Sequence, residues 1–142
     1  MSVKIFVPRD SVALALGADA VAQAILAEAA RRKIDVSLVR NGSRGMLWLE
    51  PLVEVQTDQG RVAYGPVSTE DVTALFDAKF QNGGKHKLGL GLTDEIPYLK
   101  RQERLTFARV GITDPLSLKD YLAHDGYQGL RKALTMQAAV IV

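Results

Sequence analysis

Short apolar runs alternate with polar turns over the first 80 residues, which predicts a series of strands and helices. Residues 3–7 form a short β-branched run ended by a proline, which favours a strand. From Asp19 the chain is alanine-rich with apolar residues at helical spacing, and the positive charges of Arg31-Arg32-Lys33 suit a helix C-terminus. Residues 35–40 again favour a strand. A strand, a helix and a strand in this order predict a right-handed crossover between parallel strands.

The following segment predicts a hairpin and a second helix. Residues 52–56 and 61–64 are extended runs on either side of the polar turn Thr57-Asp58-Gln59-Gly60. Ser68 is a candidate N-cap for a helix whose buried stripe would include Leu75. The order β-α-β-β-β-α over residues 1–80 predicts an α/β fold, with helices packed on a four-stranded mixed sheet as in thioredoxin-like domains.

The remaining residues predict a linker and a short, incomplete α+β segment. Residues 81–95 contain Asn82-Gly83-Gly84 and Gly89-Leu90-Gly91, a composition typical of a flexible tether. The glycines at 89 and 91 make a poor phosphate loop, because no Lys-Ser/Thr pair follows at the required spacing. Within residues 96–142, residues 105–110 are predicted to form a strand, while Asp114-Pro115 and residues 127–134 indicate two helices.

Composition excludes several functional classes. The 47% apolar and 24% charged residues are ordinary for a globular protein. The absence of cysteine rules out disulfides, thiolate chemistry and cysteine-ligated clusters within this sequence. The formal charge is only +2 and the basic residues are spread along the chain, which argues against nucleic-acid binding. No apolar run approaches the roughly 18 residues of a membrane span, and no signal sequence is evident, so we expect a cytoplasmic protein.

Candidate chemistry is sparse. His86 and His124 have no second ligand at metal spacing, and no carboxylate pair stands out, so no catalytic or metal residue is predicted. The loop after the second predicted strand is more distinctive, because Arg40 and Arg44 lie beside two glycines there. Such a loop could hold a carboxylate or a phosphate, and an intersubunit salt bridge is at least as good an interpretation. Trp48, in the same loop, is a core or interface aromatic.

These residues carry a resemblance to known families. Residues 1–80 resemble the thioredoxin-like [2Fe-2S] ferredoxin domain of respiratory complex I. The elements Arg104-Leu-Thr-Phe-Ala-Arg-Val-Gly-Ile-Thr-Asp-Pro115 and Asp120-Tyr-Leu-Ala-His-Asp-Gly-Tyr127 resemble the start of the FMN- and NADH-binding subunit of complex I. Fused in this order, the two halves are similar to the beta (diaphorase) subunits of soluble NAD-dependent, molybdenum-containing formate dehydrogenases.

The resemblance also implies that an iron-sulfur centre has been lost. Alignment on Asp19 and Pro51 puts the four cluster-ligand positions of the family at Pro8, Ala13, Ser43 and Leu47, none of which supplies a thiolate. The domain is therefore expected to keep the fold without the cluster.

A longer parent subunit is expected on the same grounds. The resemblance implies that FMN, NAD and a [4Fe-4S] cluster belong to a parent of which residues 96–142 are the truncated start. Its implied partners are a gamma-like [2Fe-2S] subunit and a molybdenum-containing alpha-like subunit, with electrons passing from formate through FMN to NAD.

Two roles for the chain remain open. It would be a docking and assembly module without a redox centre, presenting Arg40, Arg44 and Trp48 to the gamma-like subunit. Alternatively, it would contribute directly to the FMN/NADH site of an NADH:acceptor oxidoreductase, such as a complex I flavoprotein or an NAD-reducing hydrogenase diaphorase. These residues alone are not expected to be catalytic.

Overall fold

The computed structural model describes residues 2–141, and one five-stranded mixed sheet organises them. The sheet has the order β2-β1-β3-β4-β5. Its strands are β1 (Val3–Phe6), β2 (Val36–Val39), β3 (Val53–Thr57), β4 (Gly60–Tyr64) and β5 (Gly89–Leu92). β1 and β2 are parallel, and the other three strands join antiparallel. The predicted crossover and hairpin are both present.

Two helices connect β1 to β2. The short helix α1 (Ser11–Ala15) was not expected from the sequence, and the main helix α2 (Ala18–Arg31) begins one residue before Asp19. Asp10 caps α1, because its side chain accepts hydrogen bonds from the backbone N–H groups of Val12 and Ala13. Glu28 near the end of α2 binds Arg31 and Arg32, and the hydrogen bond from Arg31 is the main reason that the pKa of Glu28 falls to about 2.

Helix α3 (Val72–Asp77) follows the helix N-cap predicted at Ser68. Ser68 and Asp71 form a capping box, and a 3₁₀ turn at Thr69–Asp71 leads into the helix. The predicted burial of Leu75 is confirmed, and Val72 and Phe76 are buried beside it.

The main core lies between the sheet and helices α2 and α3. Alternate strand residues such as Ile5 and Val55 point into it, and the ring of Phe80 packs edge-to-face against Tyr64 and Phe76. The opposite side of the sheet, which we call the outer face, carries the intervening residues. A smaller apolar cluster on this face contains Met46, Leu52 and Ala63.

The sheet has one strand more than the sequence predicts. Residues 89–92, inside the predicted linker, form β5 and pair with β4, so the predicted count of four strands is wrong. Just before β5, Gly84 lets the backbone pack closely against the end of α3. A Cβ at Gly84 would lie 1.8 Å from the carbonyl oxygen of Ala78, and the Tyr64 hydroxyl donates to the Gly84 carbonyl.

The C-terminal third contains short helices and turns. The helices are α4 (Pro97–Lys100), α5 (Leu118–Ala123), α6 (Gln128–Ala133) and α7 (Ala138–Ile141). The prediction of a strand at residues 105–110 is wrong, because these residues form successive turns. α5 is capped by Ser117 instead of Asp114, whereas α6 lies within the predicted residues 127–134. No described helix is long and apolar enough to span a bilayer.

Candidate functional site

The loop between β2 and β3, residues 41–50, presents an aromatic side chain to solvent. Trp48 lies in a 3₁₀ turn at Leu47–Leu49 and is 61% exposed, although it is the only tryptophan in the chain. Its ring packs edge-to-face on Tyr98 from α4, with the ring centroids 5.1 Å apart. An exposed indole fixed by a neighbouring ring is a common interface anchor.

Arg40 is occupied inside the molecule. Its Nε donates to the Val7 carbonyl at 3.1 Å and its Nη2 to the Pro8 carbonyl at 3.0 Å. Its Nη1 lies 2.7 Å from an oxygen of Asp19. Arg40 therefore ties the end of β2 to the end of β1 and to the start of α2.

Arg44 is the second predicted docking residue, and the structure buries it on the outer face. Its Nη2 donates to Glu54 at 2.9 Å, and both side chains are more than 90% buried. Arg61 donates to the same carboxylate at 3.3 Å, as does Asn41. We call these four residues, Asn41, Arg44, Glu54 and Arg61, the arginine network.

The network is held in place by burial and ring packing. The Arg61 guanidinium lies 3.5 Å from the centroid of the Phe6 ring. Burial lowers the pKa of Arg61, while the carboxylate of Glu54 opposes that shift. Buried Arg44 and partly buried Arg61 share the Glu54 carboxylate. Removal of Glu54 would therefore take away their common counter-ion and leave Arg44, among the described residues, with only the exposed Asp94 carboxylate at 3.9 Å.

Glu54, Arg61 and Asn41 were not predicted as site residues from the sequence. One signal was available: Glu54 is an acid between two valines in the predicted hairpin, and Arg61 is a base in the other strand of that hairpin. Opposite charges on the same face of a hairpin indicate an ion pair.

The four aligned ligand positions do not form a cluster site. Pro8 and Ala13 are buried, Ala13 within the main core, and Leu47 is half exposed. The Ser43 hydroxyl donates to Glu50 at 2.7 Å and accepts from the Gly45 N–H at 3.0 Å. A [2Fe-2S] cluster requires thiolate or imidazole ligands, so these residues do not fit one. Within residues 2–141 no group of three or more His, Asp or Glu side chains is placed to hold a metal ion.

Glu50 at the end of the loop is an acid in an apolar setting. Burial raises its pKa, and the hydrogen bonds from the Ser43 hydroxyl and the Leu52 N–H only partly oppose the rise. The charges of Asp10 and Glu54 raise it further. Glu50 is therefore a buried acid whose charged form is disfavoured, whereas the carboxylate of Glu54 is paired with arginine.

A cavity of about 820 Å³ lies beside the loop. Ser43 and Leu47 line one side, and residues from Tyr98 to Val110, including Phe107, line the other. Most of the lining is apolar, so this is the part of the described chain best suited to an apolar or aromatic group.

The two histidines lie apart from this cavity. The Nδ1 of His86 is 3.3 Å from the Leu88 N–H, and the Nδ1 of His124 is 2.9 Å from the Asp120 carbonyl oxygen. Both make local contacts within their own segments.

Comparison with solved structures confirms the predicted fold class. The chain is similar to two structures of a thioredoxin-like [2Fe-2S] ferredoxin from Aquifex aeolicus. One is 20% identical with a TM-score of 0.51 and covers 63% of this chain and 97% of the ferredoxin. The other is 19% identical with a TM-score of 0.55 and covers 68% of this chain and 96% of the ferredoxin. At such identities the likeness concerns the fold alone, which is thioredoxin-like.

Sequence comparison finds a local similarity. A segment of 43 residues is 46% identical to the NADP-reducing hydrogenase subunit HndC of Solidesulfovibrio fructosivorans. The match covers 30% of this chain and 9% of that subunit. No family model matches the chain.

Proposed function

We propose that this chain corresponds to the N-terminal part of a diaphorase-type subunit and that it serves there as a docking and assembly module without its own redox centre. The parent would be the beta subunit of an NAD-dependent formate dehydrogenase, holding FMN, NAD and a [4Fe-4S] cluster outside these residues. The complex is proposed to be cytoplasmic. Its other members would be a gamma-like [2Fe-2S] subunit and a molybdenum-containing alpha-like subunit.

Two findings support the diaphorase part of the proposal. The fold is that of a thioredoxin-like ferredoxin, and a separate comparison matches part of the chain to a hydrogenase subunit. The absence of cysteine and the side chains at residues 8, 13, 43 and 47 favour a structural role for the domain over electron transfer.

The single observation that favours docking is the exposure of Trp48 on a loop held by internal hydrogen bonds. Arg40 immediately before the loop and Arg44 within it both make internal hydrogen bonds, so we propose that they position the loop while Trp48 makes the contact. An aromatic residue that is exposed in the free protein and pre-ordered loses little conformational entropy on binding.

The test is a binding measurement with the gamma-like subunit. Trp48→Asp should weaken the interaction at least tenfold, because a carboxylate would replace the apolar anchor. Leu16→Asp is the matched control, since Leu16 is 54% exposed but lies at the end of α1. Equal affinities for Trp48→Asp and the unaltered chain would refute this docking face.

A second candidate function rests on the cavity. Its volume and its apolar wall, with Tyr98 and Phe107, suit a planar aromatic group, so the chain would contribute directly to the FMN/NADH site. In that case FMN or NADH should raise the melting temperature of the chain, and Phe107→Ala should abolish the shift. An unchanged melting temperature with both compounds would exclude this candidate function.

A further inference from the structure

Residues 101–112, which we call the strap, cross the outer face of the sheet and end against the arginine network. Nearly all of the strap is exposed, with Leu105 at 83% and Phe107 at 66%, whereas Gly111 is buried. Apolar burial therefore contributes little to holding the strap in place.

Polar contacts hold its end instead. The Gly111 carbonyl accepts from Asn41 Nδ2 at 2.7 Å and from Arg61 Nη1 at 2.9 Å. The next carbonyl, of Ile112, accepts from Arg61 Nη2 at 2.8 Å. These donors converge on two consecutive carbonyls, which is a specific arrangement for a turn of backbone.

A fourth contact comes from the strap itself. Arg104 Nη2 donates to the Arg44 carbonyl at 2.7 Å, which joins the middle of the strap to the loop of residues 41–50. The strap thus forms one wall of the cavity, and the loop forms the other.

The charges explain why the network needs these carbonyls. It contains two guanidinium groups and one carboxylate, so it has more donors than Glu54 can accept. The carbonyls of residues 111 and 112 supply further acceptors in a buried or partly buried setting, where an unsatisfied donor is costly.

Gly111 permits the close approach. Its φ is +80°, and a Cβ there would lie 2.4 Å from Cδ of Arg44 and 2.9 Å from its Nε. Any side chain at this position would separate the strap from the network.

We propose that the strap is a latch: it lies against the outer face as one wall of the cavity while the arginine network binds the Gly111–Ile112 carbonyls, and it detaches as a unit, with the sheet intact, when those hydrogen bonds are lost. Such a latch would act whether or not the loop of residues 41–50 docks a partner. Opening would uncover the outer face and the cavity wall made by Ser43 and Leu47.

Hydrogen exchange on the full chain tests this latch. Arg61→Met removes the donors but keeps an apolar stem over Phe6, and Gly111→Ala disrupts the same contact from the strap side. Both variants should raise exchange of the hydrogen-bonded amides within residues 108–113 by about tenfold or more, because they remove partly buried hydrogen bonds from a charged group. Exchange in β1 and β3 should stay as in the unaltered chain.

Arg109→Met is the matched control, because it removes an exposed strap arginine and leaves the network unchanged. It should not alter exchange in the strap. Unchanged strap exchange in both test variants would overturn the latch. A second result would also overturn it: amide exchange that rises equally in the strap and in the sheet of Gly111→Ala. This substitution lies outside the sheet, so an equal rise would mean that the strap is an integral part of the fold.

Discussion

At the scale of single residues, environment decides what each charged side chain of the loop does. Arg40, Arg44 and Trp48 were singled out by sequence as one docking set, but only Trp48 has an exposed side chain. The sequence shows that Arg44 is present, but the acid that neutralises it comes from strand β3, outside the loop. Glu54 is ten residues from Arg44 and meets it only because the loop folds back over the outer face.

Glu50 gives a prediction about pH. Its folded-state pKa lies above the ordinary value of 4.5, so the folded chain binds this proton more tightly than the unfolded chain does. The corresponding stability is complete below pH 4.5 and is lost as the pH rises through the folded-state pKa. Urea unfolding of the unaltered chain and of Glu50→Gln should therefore show the variant gaining relative stability as the pH rises from 4 to 7.

Ser43→Ala sharpens the same experiment. The Ser43 hydroxyl is the main group that opposes the raised pKa of Glu50, so its removal should move the loss of stability to higher pH. If the stability difference between Glu50→Gln and the unaltered chain does not vary with pH, then the pKa of Glu50 is not raised in the folded chain.

Gly84 gives a second prediction at this scale. A Cβ at this position would overlap the Ala78 carbonyl, so Gly84→Ala should lower the free energy of unfolding by about 2 kcal/mol or more. Gly45→Ala is the control: Gly45 has a φ of +85° with nothing near its Cβ position, and backbone strain alone should cost about 1 kcal/mol. Equal losses in denaturant titrations would argue against the close packing at residue 84.

At the scale of elements, the sequence predicts regular strands and helices well and misses those that depend on a neighbour. The hairpin of β3 and β4, the crossover helix and the capping box of α3 follow from local patterns. Strand β5 does not follow from a local pattern, because Gly89-Leu-Gly91-Leu has low strand propensity. It pairs because the edge of β4 supplies hydrogen-bonding partners. The expected strand at residues 105–110 finds no such edge and forms turns.

A truncation tests how far β5 belongs to the sheet. A chain ending at residue 80 lacks β5 and the Gly84 carbonyl that receives the Tyr64 hydroxyl, and it leaves β4 as an open edge. Compared with a chain ending at residue 103, it should unfold at a clearly lower temperature or without a cooperative transition. Equal melting temperatures in calorimetry would show that the domain is complete at residue 80, as the sequence suggested.

At the scale of the whole molecule, a thioredoxin-like domain with a buried apolar core contrasts with a C-terminal third in which many apolar side chains face solvent. Leu116, Leu118, Leu130 and Leu134 are each more than half exposed. Exposed apolar groups in this number are typical of a surface that packs on further protein. Sequence alone suggested a longer parent subunit through its resemblance, and this exposure is consistent with that proposal.

The most direct test of the docking proposal is hydrogen exchange on the chain with and without the gamma-like subunit. Binding should protect Leu47–Leu49 and α4, which hold Trp48 and Tyr98, and should leave α2 and α3 on the far side of the sheet unchanged. Protection confined to α2 and α3, or no change at residues 47–49 at saturating partner, would contradict the proposal that this loop is the docking face.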